Sequence, residues 1–73
     1  MYVLEFNEKQ IAFHLHTIES RSNSKNNEEW RIVMFGDQRN LNKLHTELTK
    51  DNPKTLDDIN TIIRVRKLEY LAG

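Results

Sequence analysis

QIAFHLHTIES (Gln10–Ser20) admits two readings, and the choice between them sets the architecture. At a period of two, Ile11, Phe13, Leu15 and Thr17 share one face of a strand, while Ala12, His14, His16 and Ile18 share the other. At a period of 3.6, Ile11, Leu15 and Ile18 line up on a helix, and Asn7 with Gln10 would form its N-terminal capping box. Phe13 decides for the strand. On a helix it points away from the apolar stripe, whereas on a strand it joins that stripe, and Ile, Phe and Thr prefer a pleated surface.

Upstream, YVLEF (2–6) is a short β-favouring run with Tyr2, Leu4 and Phe6 on one face and Val3 and Glu5 on the other, and NEK after it reads as a turn. Downstream, SRSNSKNNEE (20–29) contains no large apolar side chain, so a mobile loop is expected there. WRIVMF (30–35) is the clearest strand, with Trp30, Ile32 and Met34 set against Val33 and Phe35. Gly36 ends it and Asp37 is placed to cap a helix. From Gln38 to Asp51 the helix carries Leu41, Leu44 and Leu48 as one narrow apolar stripe, and Pro53 stops it.

The last segment is harder. Thr55 and Asp58 mark a helical start, but Leu56, Ile59, Ile62, Val65, Leu68 and Leu71 recur every third residue. That period walks around an α-helix rather than down one side. The segment is therefore expected to make one helical turn and then a strand with Ile63 and Val65 inward and Arg64 and Arg66 outward. A helical C-terminal segment is the alternative. The expected fold is α+β: a single domain over 1–73 with a mostly antiparallel sheet in the order β-β-β-α-β and one helix covering one face, or β-β-β-α-α if the end is helical.

Composition narrows the function classes. At 73 residues with no cysteine, the chain can form neither a disulfide framework nor a thiolate site. A chain this short buries only about 60% of the surface its unfolded form exposes. Eleven basic and eleven acidic residues cancel, which argues against a surface that attracts nucleic acid or membrane as a whole. MYVLEFNEKQ lacks the basic stretch and apolar run of a signal peptide, and no run nears the ~20 apolar residues of a membrane span. A cytoplasmic setting is expected. Frequent asparagine and lysine point to an AT-rich genome, such as a bacterial or phage accessory protein.

Candidate chemistry is sparse. His14 and His16 on one strand face form a surface pair whose spacing can chelate a transition metal, but a specific site needs a third ligand and groups that orient the rings. His45 falls on a helix expected to cover the opposite face, so solvated histidines with no metal and no cofactor are expected. Arg64, Arg66 and Lys67 form the densest basic cluster, with Trp30 and Tyr70 as ring surfaces if they share its face. Asp57 and Asp58 suit a helix start by complementing its dipole. Gly36 and Gly73 are the only glycines, too few for a phosphate-cradling loop, and no nucleophile stands in an elbow, so no enzymatic activity is expected.

By elimination, the chain reads as a small module that binds another protein as an inhibitor, adaptor or regulator, using Trp30, Arg64, Arg66, Lys67 and Tyr70. A homodimer through an open sheet edge would enlarge a core this small. The alternative is a nucleic-acid-binding regulator using Arg64, Arg66 and Lys67 as a basic strand patch.

Overall fold

The computed structural model describes residues 1–22 and 29–72. The elements run β1 (Tyr2–Asn7), β2 (Ala12–Thr17), α1 (Ile18–Ser22), β3 (Arg31–Gly36), α2 (Gln38–Lys50), α3 (Leu56–Val65) and a closing 3₁₀ turn (Leu68–Leu71). The α+β class expected from the sequence holds, and Gln10–Ser20 divides between a strand over its middle and a short helix at its end.

Three antiparallel strands form the sheet in the order β2-β1-β3, so the first strand is central. On one face, Leu4 and Phe6 meet Leu41, Leu44 and Leu48 of α2, Ile59 and Ile63 of α3, and Leu68 and Leu71. Phe13 and Leu15 pack against the same cluster, as the alternation in β2 requires. The stripe in α2 is buried as expected, and Asp37 caps the helix by accepting from the Asn40 amide at 2.8 Å. Among the described residues, no helix is long and apolar enough to cross a membrane.

The β1–β2 turn is held by Asn7, whose Oδ1 accepts from the amides of Lys9 at 2.9 Å and Gln10 at 3.0 Å. Ile11 then closes the turn at φ 51°, a left-handed conformation that costs a β-branched residue about 1–2 kcal/mol. Its side chain is half exposed and gains little in return. Ile11→Gly is therefore expected to raise stability by about 0.5–1 kcal/mol net of the freedom glycine adds to the unfolded chain, read as a higher urea midpoint. An unchanged or lower midpoint would mean that Ile11 contacts outweigh the strain.

Three sequence expectations are corrected. Strict alternation in 30–35 fails because the β1–β3 register slips between Leu4 and Glu5. The extra residue of this bulge puts Val33 and Met34 together against the core and leaves Ile32 and Phe35 on the other face. Of the loop expected at 20–29, Ser20, Arg21 and Ser22 belong to α1 instead; residues 23–28 lie outside the described residues.

The largest correction is the C-terminal segment, which is the helical alternative rather than a fourth strand. The Thr55–Asp58 capping box starts α3, and the helix continues to Val65. Ile59 and Ile63, four apart, carry its buried face, while Val65 is left 70% exposed. Lys67 at φ 56° then breaks the helix axis. Beyond it, the 3₁₀ geometry of three residues per turn stacks Leu68 over Leu71, and both turn into the core. The three-residue period is thus met by two kinds of helix joined at a left-handed residue.

Candidate functional site

The sheet face away from α2 and α3 is where the unusual residues gather. Along β1, Val3, Glu5 and Asn7 point to this face, and all three are buried. The register sets His16 and Phe35 on either side of Val3, and His14 and Ile32 on either side of Glu5. A carboxylate 1% exposed at the middle of a central strand needs compensation, because burying an unpaired charge is prohibitive.

Two groups supply it. Glu5 Oε1 accepts from His16 Nε2, and Glu5 Oε2 accepts from Arg21 Nε at 2.7 Å. Arg21 can reach because α1 starts directly after β2, with Thr17 Oγ1 accepting from the Ser20 amide at 3.2 Å and turning the chain. The His14 and His16 rings stack at 4.3 Å with planes 18° apart. Trp30, just before β3, comes edge-on to His14 at 5.3 Å although their strands flank opposite sides of β1. Glu5 is thus a buried anion beneath His14, His16, Arg21 and Trp30.

Of the residues singled out from the sequence, His14, His16 and Trp30 come together here. Arg64, Arg66, Lys67 and Tyr70 do not. They lie at the end of α3 and in the turn after it, within the helical layer. The expected strand patch does not form: helical geometry sets Arg64 and Arg66 about 200° apart instead of side by side. Arg66 is moreover committed to α2, with Nη2 at 3.0 Å from Glu47 Oε2 and Nη1 at 3.0 Å from Asp51 Oδ2. Hydrogen bonding to Glu47, then Asp51, raises the Arg66 pKa, and the Arg66 bond, then that of Lys50, holds Glu47 below the usual carboxylate range. Tyr70 is 75% exposed on its own.

His45 lies on the covered face as expected, its ring 5.1 Å from Phe13. The sequence reading missed Glu5, Arg21, Ile32 and Phe35. Glu5 carried a usable signal: a carboxylate between Leu4 and Phe6 in a strand, which a four-residue turn over 8–11 places opposite His14. No family model, no curated protein and no solved structure matches the chain.

Proposed function

We propose that this protein is a small interaction module that acts by holding another protein against the β3 side of the sheet face turned away from α2 and α3. The observation that carries this reading is the pair Ile32 and Phe35, 38% and 42% exposed on that face of an outer strand, with Trp30 at the strand's start. Exposed apolar side chains grouped on a sheet face are what a partner would bury, and an aromatic beside them is the usual anchor of such a contact. The ionic groups of this face do not oppose docking, because Glu5 is satisfied internally by His16 and Arg21. Among the described residues no further strand pairs with the outer edges of β2 and β3, so a partner strand could add at β3 beside Phe35.

A protein partner is favoured over nucleic acid on charge. The chain has no net excess of cations, and Arg66 is already neutralised by two carboxylates. A photo-crosslinking residue placed at position 35, compared with one at position 70, tests the face in cells of the native host. Adducts from position 35 alone, with capture lost in Phe35→Asp at unchanged melting temperature, are the expected result. Equal adducts from both positions, or capture indifferent to Phe35→Asp, would sink the proposal. Light scattering on the purified chain separates a second copy from a different protein as the occupant.

A further inference from the structure

We infer that Glu5, His14 and His16 form a binding site for a divalent transition-metal ion, with Zn²⁺ the best match. The candidate ligand atoms of the three residues all lie within 4.8 Å of one another. Zn–N and Zn–O bonds of 2.0–2.2 Å in tetrahedral geometry need ligand atoms roughly 3.3 Å apart, so side-chain rotation alone can close the set. Two imidazoles and one carboxylate select Zn²⁺, Co²⁺ or Ni²⁺ over Mg²⁺ and Ca²⁺, which prefer all-oxygen shells.

The third ligand that His14 and His16 lack in sequence arrives through strand pairing, since Glu5 stands directly across from His14. It sits on the central strand, paired along both edges, which is the stiffest position in the sheet. Arg21 holds Oε2 and leaves Oε1 turned towards the imidazoles, the part played by groups that orient a metal's ligands from behind. Trp30 comes edge-on to the His14 ring and flanks the histidine pair.

Burial of Glu5 is otherwise hard to justify. An apolar side chain in its place would fill the sheet as well, since a buried ion pair usually gains little over a hydrophobic replacement. An ion entering the site would displace the His16–Glu5 hydrogen bond, and His16 would bind through Nε2 with its proton on Nδ1. Three protein ligands leave a fourth position for water or for a donor from a docked molecule. The Arg21 charge repels the cation, so the affinity expected is micromolar rather than nanomolar.

The site stands independently of the protein-docking proposal and is tested without a partner. Thermal melts and calorimetric titration of the full chain with ZnSO₄ are expected to show one bound ion. The melting temperature should rise by about 11–22 °C once free Zn²⁺ exceeds its dissociation constant a hundredfold, and MgCl₂ should leave it unchanged. His14→Ala and His16→Ala should each weaken binding at least about tenfold, while His45→Gln leaves it intact. Glu5→Gln can alter stability by itself, so its occupancy is read from the visible absorption of bound Co²⁺ at low temperature, which should be lost. Absence of binding, a Zn²⁺ effect that survives His14→Ala/His16→Ala, or full affinity in Glu5→Gln would overturn the three-ligand site.

Discussion

Arg21→Ala is expected to lower the stability by about 3 kcal/mol, towards the lower end of what breaking a buried ion pair costs. The cost arises mainly at Glu5. The arginine side chain, 26% exposed, gives up some packing of its stem, but the larger effect is to leave a carboxylate side chain that is 2% exposed with His16 as its remaining partner. In a domain of this size each kcal/mol moves the melting temperature by roughly 4–8 °C, so a drop of about 12 °C or more is expected in a thermal melt. Glu5→Leu should behave quite differently and stay near wild type. It removes the buried charge itself and leaves Arg21, and to a lesser degree His16, able to turn towards water. If Arg21→Ala melts with wild type, or if Glu5→Leu is the more damaging change, the charge at Glu5 is not what the surrounding groups compensate.

Leu44→Ala is expected to cost about 3–4 kcal/mol. Leu44 is fully buried in the middle of the α2 stripe, within the cluster that joins Leu4 and Phe6 of β1 to both C-terminal helices. Alanine there forfeits the transfer energy of the deleted carbons and opens a cavity that the flanking Leu41 and Leu48 have little room to fill. Domains of this kind have a total stability of only about 5–15 kcal/mol, so the variant should lose a large share of it. The urea midpoint should fall with the slope of the transition unchanged. A loss below about 1 kcal/mol would show that α2 can settle onto the sheet and that the core is less tightly determined than its burial implies.

How much was legible depended on whether a segment's pattern had one geometric solution. In Gln10–Ser20 the position of Phe13 excluded a continuous helix, and β2 formed with Phe13 and Leu15 inward. In α2 the Leu41–Leu44–Leu48 stripe and the Asp37 cap agreed, and both are found. The last segment had no single solution. Its three-residue period fits neither an α-helix nor a strand, and the chain answers with α3, a left-handed Lys67 and a 3₁₀ turn. With the strand gone, the side-by-side Arg64 and Arg66 went too, because their juxtaposition depended on a period of two. The bulge at Val33 was equally hidden, since a bulge is a property of a strand pair and not of one strand.

The sequence by itself determined the local elements: where β1, β2, β3 and α2 run, which face of β2 turns inward, and that His14 and His16 share the outer one. These follow from side-chain periodicity and capping, which act within a few residues of chain. Only the tertiary structure decided what stands beside the histidines. Strand register set Glu5 against His14, the turn into α1 brought Arg21 back over that carboxylate, and the start of β3 carried Trp30 across the sheet. Tertiary burial also chose helix over strand at the C-terminus, because Leu68 and Leu71 reach the core only from a 3₁₀ turn beyond Lys67. Register and burial join residues far apart in the chain, so no local pattern encodes them.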